Sequence, residues 1–324
     1  MTFVYIAGIE YALPFCCVSN TELSALHPEW NMKQIAAKTG VTSRRWCTAD
    51  ETALDIAEIA CRKLFSRLDI NLNLVDALLF CTQSPDYPMP PNACLLQARL
   101  GLPRSVAALD YTLACSGFVY GLFLAHALIK SQSAKRVLLI TAETYSKLMN
   151  PDDRVTITLF GDGAAATLVA AGKDGLGICQ MGTDGSGAKH FMVPEGGARQ
   201  TAGILKQEKT IYMNGAAVLD FIKIEIPLLV NSLLKRSEFT MDDIDLFIFH
   251  QGSKITLDYL NEMLHIPKNK RFCNISEKGN TVSSSIPIAL YDAEKQGILK
   301  PGMRIMIVGF GVGLSWGGYI INWV

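Results

Sequence analysis

The 324-residue chain predicts an α/β protein with mostly parallel sheets, assembled from two related halves. Three observations carry that expectation. Residues 75–84 (VDALLFCTQS) and 244–253 (IDLFIFHQGS) lie 169 residues apart, and each sets an acidic residue before a wholly apolar run. Such runs suit strands buried on both faces. The same offset carries the apolar run 137–141 onto 306–310, and the turn at Cys115 onto Ser284 within NTVSSSIPIAL. Finally, strand patterns alternate with helical ones, as layered α/β units require. A repeat of this length indicates pseudo-symmetric halves, expected at 1–172 and 173–324, and not a short-period solenoid.

In chain order, MTFVYIAGIEYALP reads as a first strand ending in a turn at Pro14. It includes Glu10 and no basic stretch, so a secretory signal is not expected. Residues 52–68 place apolar side chains at helical spacing after Asp50 and Glu51. A short extended run at 106–109 leads through 110–114 into a helical stretch, 118–129, which contains His126 and is too short to cross a bilayer. Residues 155–171, with GDGAAATLVAA, read as a turn feeding the buried strand that ends the first half. Residues 182–188 and 194–203 look like surface loops, and 216–234 like a helix kinked at Pro227.

Composition removes several function classes. Hydrophobic residues make up 49 % of the chain, and 30 basic residues balance 30 acidic ones. That describes a well-cored protein with no Lys/Arg stripe for nucleic acid. The nine cysteines are odd in number and contain no C-x-x-C pair, which points to a reducing, cytoplasmic compartment and not to a disulfide scaffold. The five histidines form no H-x-x-x-H pair, so no metal site is expected. GDGAAA lacks the full G-x-G-x-x-G pattern, so no dinucleotide cofactor is expected either.

Cys115 sits where a strand hands over to a buried helix, in LDYTLACSGFVYG. Free N–H groups and the helix dipole at such a place favour a thiolate, and the small neighbours Ala114, Ser116 and Gly117 admit a substrate carbonyl. The same position also suits an inert buried cysteine. The duplication adds partners. In a pseudo-twofold arrangement His250, at the equivalent strand end, and Asn280, before the equivalent helix, converge on Cys115.

The segments ACSGF, FIFHQG and GNTVSSSIPIAL around these three residues resemble the β-ketoacyl-acyl-carrier-protein synthase III family of the thiolase-like superfamily. AKTGVTSRR (37–45), LFGDGAAA (159–166) and GFGVGLSWGG (309–318) extend the resemblance along nearly the whole chain. It implies a thiolase-like five-layered αβαβα fold, a homodimer, and a cytoplasmic acyltransferase of fatty-acid biosynthesis without a cofactor. Cys115 would take an acyl group from acyl-CoA, and decarboxylated malonyl-acyl-carrier protein would attack it. His250 and Asn280 would donate hydrogen bonds to the enolate oxygen, and the backbone N–H groups of Cys115 and Val312 would form the oxyanion hole.

Departures from the family pattern concern the substrate. Gln34 stands where acetyl-CoA-primed members carry a Trp that stacks on adenine, and Lys38 replaces its Arg partner; Trp30 does not align. Arg154 is kept for the nucleotide side. Ile255 replaces the carrier-protein arginine, with Lys254 beside it to supply charge without a bidentate fork. Met89 replaces the Phe that closes the acyl pocket across the dimer. Together these point to a medium-chain or otherwise unusual starter. Among rivals, biosynthetic thiolases need a second cysteine in the C-terminal glycine turn, and elongating synthases need a histidine where Asn280 stands. The alternative reading is an acyl- or aroyl-condensing enzyme of secondary metabolism, or an acyltransferase, on the same scaffold.

Overall fold

A computed structural model of the chain describes residues 2–199 and 209–324. The first half opens with β1 (Val4–Ala12) and an arm in which β2 (Cys16–Ser19) and β3 (Ser43–Trp46) enclose α1 (Asn20–Leu26) and α2 (Met32–Thr39). Then follow α3 (Ala53–Leu68), β4 (Ala77–Cys81), α4 (Asn92–Leu100), β5 (Ala107–Tyr111), α5 (Gly117–Lys130), β6 (Arg136–Glu143), α6 (Arg154–Ile157) and β7 (Gly163–Ala171). After β8 (Leu176–Thr183) and the short pair β9 (Phe191–Met192) and β10 (Tyr212–Met213) come α7 (Gly215–Ser237), β11 (Leu246–Phe249) and α8 (Lys254–Met263). The chain closes with α9 (Ser285–Lys295), β12 (Arg304–Gly311) and β13 (Ser315–Asn322).

The strands form two main sheets. One has the order β1-β7-β6-β4-β5 and the other β11-β12-β13-β8. In each, the strand read from the apolar repeat pairs in parallel with its neighbour: β4 with β6, and β11 with β12. Ala77 opposes Val137 and Leu246 opposes Ile305, so β6 maps onto β12 at 168 residues. The sequence reading was one residue out there, because the chain between the paired strands is one residue shorter in the second half. The second sheet keeps only a trace of a fifth strand, a single parallel bridge from Phe247 to Arg271.

Alternation along each strand sends side chains to opposite layers. Leu79, Val137 and Leu139 of the first sheet meet Leu246, Ile248, Ile305 and Ile307 of the second around α5 and α9, which supply Phe118, Leu122, Ile286 and Leu290. On the outer faces, α3 and α4 cover Leu78, Phe80, Leu138 and Ile140, while α7 and α8 cover Phe247, Phe249, Met306 and Val308. Helix, sheet, helix, sheet, helix: five layers result. The apolar run 118–129 is therefore a core helix, apolar on most sides because sheets flank it. No helix among the described residues is long and apolar enough to cross a membrane.

Boundaries follow local chemistry. Thr52 caps α3 with a full capping box, its hydroxyl accepting from the Asp55 N–H and the Asp55 carboxylate accepting from the Thr52 N–H. Pro227 lies inside α7, which runs on to Ser237, three residues beyond the expected end. The strand before Cys115 extends to Tyr111, two residues further than read. Of the expected loops, Gly182 and Thr183 finish β8, and part of 194–203 lies outside the described residues. The arm between β2 and β3 had no counterpart in the sequence reading. It is held to the second half by Thr42, whose N–H donates to Ser276 O at 2.7 Å, and to the rest of the first half by buried Arg44, which donates to Thr158 O and, within the arm, to Asn20 Oδ1.

Thr52→Ala is expected to lower the unfolding free energy by about 1 kcal/mol, read as a lower urea midpoint at unchanged slope. An unmoved midpoint would remove the cap from the account of where α3 begins.

Candidate active site

Three chain segments deliver the chemistry to one place. Cys115 lies in the turn between β5 and α5, tightened by the Gly117 N–H donating to Ala114 O at 2.8 Å, and is almost fully buried. His250 follows the last residue of β11, its N–H donating to Val308 O at 2.8 Å, so the strand register sets its position. Asn280 is fixed by a bridge to Phe160: its N–H donates to Leu159 O at 2.9 Å, and its carbonyl accepts from Gly161 at 3.0 Å. All three line one cavity of about 340 Å³, together with Phe310 and Gly311 at the end of β12. The close approach depends on glycine. A Cβ on Gly311 would stand 2.8 Å from Cys115 Cβ and 3.0 Å from its sulfur.

The two polar partners are oriented as donors. Asn280 Oδ1 accepts from the Val282 N–H at 2.9 Å, which turns Nδ2 the other way; Nδ2 has only a long contact, 3.4 Å, to Gly252 O. His250 Nδ1 lies 2.6 Å from Ser285 Oγ. That hydroxyl also accepts the Gln251 N–H at 3.4 Å, and its own hydrogen is free to donate to Nδ1, the arrangement that leaves the ring proton on Nε2. Burial pushes the His250 pKa down to about 3, so the ring is neutral around pH 7. Ser285 was not singled out from sequence, although three serines opening a helix (Ser283, Ser284, Ser285) were a visible anomaly.

Burial also decides the state of the nucleophile, and it corrects the expectation of a helix-stabilised thiolate. The Cys115 thiol is pushed above its ordinary value by desolvation, with the Glu143 carboxyl adding to the effect and the backbone N–H of Cys115 opposing it. The resting residue is a thiol. Glu143, at the end of β6, was also missed; an acid closing a run as apolar as RVLLITAE was its signal. Desolvation pushes its pKa up to about 8, although it accepts hydrogen bonds from the Gln83 N–H and from the Ser283 and Ser84 hydroxyls. Among the described residues the N–H groups of Cys115 and Val312 have no acceptor. Val312 follows Gly311, and its carbonyl is tied to the Ser315 hydroxyl at 2.6 Å.

At the mouth, Lys38 and Arg154 line the cavity beside Gln34, Asn31 and Ile255. Lys254 does not line it; its ammonium pairs with Asp258 one turn along α8. Trp30 is not on the wall either and stacks on His27, ring centroids 3.7 Å apart. Met89, 81 % exposed, touches neither cavity of its own chain. A second cavity, of about 630 Å³, adjoins the first at Phe191 and is bounded by Gln83, Thr112, Tyr145, Leu148, Ile211 and Val312. No group of three or more His, Cys, Asp or Glu side chains among the described residues could hold a metal ion.

A cysteine at a strand-to-helix turn, faced by histidine and asparagine donors from the second half of a five-layered αβαβα core, defines a condensing enzyme of the thiolase-like fold. Comparison with known proteins narrows this. Residues 109–185 match the 3-oxoacyl-[acyl-carrier-protein] synthase III family model, and 234–323 match the model of its C-terminal part. The chain belongs to that family, and is an acyltransferase-type condensing enzyme. It is 34 % identical to β-ketoacyl-[acyl-carrier-protein] synthase III 3 of Streptomyces coelicolor, over 98 % of this chain and 96 % of that one. A solved 3-oxoacyl-(acyl-carrier-protein) synthase III superposes with TM-score 0.95 at 41 % identity, covering 99 % of this chain and 100 % of the other. The priming β-ketosynthase of the R1128 polyketide pathway superposes with TM-score 0.90 at 25 % identity, covering 99 % and 96 %.

Two measurements check these electrostatics. Imidazole NMR of His250 is expected to show a neutral ring protonated at Nε2 throughout pH 5–8; a ring titrating within that range would contradict the assignment. For Glu143, the folded protein holds between about pH 4.5 and 8 a proton that the unfolded chain releases, so stability falls as pH rises through that window, by at most about 1.4 kcal/mol per pH unit. Glu143→Gln is expected to flatten that slope, as read by denaturation at a series of pH values.

Proposed function

We propose that this enzyme is a β-ketoacyl-acyl-carrier-protein synthase III that loads an acyl group from acyl-CoA onto Cys115 and condenses it with malonyl-acyl-carrier protein. The observation that carries this reading is the pair of donors, His250 Nε2–H and Asn280 Nδ2, held beside the Cys115 thiol in one cavity. In the first step the Cys115 sulfur attacks the acyl-CoA carbonyl, the thioester bond to CoA breaks, and the thiol proton leaves on the CoA sulfur. The N–H groups of Cys115 and Val312 receive the oxyanion. In the second step the malonyl C–C bond breaks, carbon dioxide leaves, and its bonding electrons form an enolate whose oxygen lies against His250 and Asn280. The enolate carbon attacks the acyl-Cys115 carbonyl, the thiolate is expelled, and it takes up a proton. Asn280 has no protonation chemistry, so its retention favours decarboxylative condensation over simple acyl transfer, which has no enolate to stabilise.

The substrates reach the site past Lys38 and Arg154, whose cations suit CoA and carrier-protein phosphates. Lys254, beside the mouth and already paired with Asp258, adds to the charge that a carrier protein meets. The starter is a medium-chain or otherwise unusual acyl group. Gln34 at the mouth, Ile255 in place of an arginine, and a second cavity larger than the first support this. The enzyme works as a cytoplasmic homodimer without a cofactor, with exposed Met89 reaching into the partner's acyl pocket.

Intact-protein mass spectrometry with acyl-CoAs from acetyl to dodecanoyl tests the reading. One acyl adduct is expected, absent in Cys115→Ala, and discharged by malonyl-acyl-carrier protein with release of carbon dioxide. Asn280→Ala is expected to load normally but to decarboxylate about a hundredfold more slowly. Faster loading from acetyl-CoA than from octanoyl-CoA would refute the starter assignment, and discharge without carbon dioxide would refute condensation.

A further inference from the structure

The wall of the second cavity carries a polar pair that an alkyl starter has no use for. The lining is mixed: Leu148, Phe191, Ile211 and Val312 are apolar, and Glu195 and Lys209 are charged. Into this lining come the Tyr145 ring, packed in the same core cluster as Cys115, and the side chain of Gln83. The Tyr145 hydroxyl is buried and donates to Gln83 Oε1. The backbone of Gln83 is pinned by its N–H to Glu143 Oε2 at 2.9 Å. A second tie runs from Cys81, whose thiol donates to Leu113 O two residues before the nucleophile. With Oε1 committed to Tyr145, the Nε2 group of Gln83 has no protein acceptor among the described residues, and Gln83 lines the cavity together with Thr112.

We propose that the starter acyl chain carries an oxygen, as hydroxyl or carbonyl, that accepts a hydrogen bond from Gln83 Nε2. The proposal rests on the acyl-condensing reading above and names the class of substrate for the same site. A plain alkyl chain filling this cavity would strip water from the amide and return nothing, whereas an oxygenated chain replaces the lost water. Discrimination of this kind is strong because the penalty falls on the analogue that lacks the polar group. A pocket evolved only for apolar length would be served by Phe at 145 and Leu at 83, neither of which leaves a donor facing the chain. The fixed orientation of the amide makes Gln83 the specificity-determining residue, and Tyr145 the positioning residue behind it.

The test is the rate of Cys115 acylation in the full-length protein, followed by intact mass. Hexanoyl-CoA and octanoyl-CoA are compared with their 3-hydroxy, 3-oxo and terminal hydroxy analogues. At least one oxygenated chain is expected to load about tenfold faster than its plain counterpart. That ratio should collapse towards one in Gln83→Leu and shrink in Tyr145→Phe. Each ratio is taken within one protein sample, so a partly misfolded variant does not distort it. Equal rates for plain and oxygenated chains in the unaltered enzyme, or a ratio unchanged by Gln83→Leu, would overturn the proposal. If plain chains load equally well and are condensed with release of carbon dioxide, the proposal fails while the condensing function stands. If no chain loads, both fall.

Discussion

The site exists because the backbone of β12 can lie directly against the turn that bears the nucleophile. A Cβ on Gly309 would come within 2.9 Å of Cys115 O and 3.0 Å of Ser116 Cα, and one on Gly311 within 2.8 Å of Cys115 Cβ. Side chains at these positions would force the halves apart by more than a close-packed core tolerates. With glycine there, the end of the second sheet meets the start of α5, and Ser116 and Ser315 share a hydrogen bond of 2.8 Å across the contact. Everything else in the site is referred to that contact. β12 fixes β11 and hence His250, and the turn after Gly311 presents the Val312 N–H. The turn before α9 brings Asn280 to the same point.

Around the thiol the cavity is electrically quiet at rest, its lining cations Lys38 and Arg154 standing at the mouth. Burial holds Cys115 as a thiol and His250 as a neutral ring, and it raises Glu143 to about 8. The donors aimed into it are dipoles: an imidazole N–H, a carboxamide N–H and two backbone N–H groups. In a dry site such dipoles interact strongly with charge that appears during reaction, and they cost no reorganisation when it does. A resident thiolate or imidazolium would carry its own desolvation penalty through the whole cycle. In the proposed acylation the thiol proton leaves on the departing CoA sulfur, so that step has no need of a standing base.

The strands of the repeat were legible because buried parallel strands are written as uninterrupted apolar runs, and β4 and β11 each pair in parallel inside their sheets. The limits of that reading are equally physical. The spacing of Lys254 beside Ile255 gave no sign that α8 would place Asp258 one turn further on, within reach of the ammonium. The thiolate was expected from the helix terminus, a local effect, while the burial that outweighs it arises from residues far apart in sequence. Ser285 acts through two hydrogen bonds and Glu143 through three, and no spacing rule announces such contacts. The arm carrying Lys38 was unread because α2 buries none of its residues, so its pattern is weak; tertiary contacts from Thr42 and Arg44 hold it.

These contrasts separate what pseudo-symmetry determines from what it leaves free. Backbone positions at the twofold centre are held by strand register and by glycine, and the reaction draws its catalytic residues from them. The cavity walls lie off that centre, on the arm with Gln34 and Lys38, on the residues around Gln83 after β4, and on Tyr145 after β6. A change at Gln83 alters what a bound chain meets while the register of β11 and β12, which sets His250, is kept, since its side chain takes no part in those ladders. The same five layers can therefore keep one reaction while the acyl group that enters it changes, and the residues that differ among such enzymes are expected to cluster on those segments.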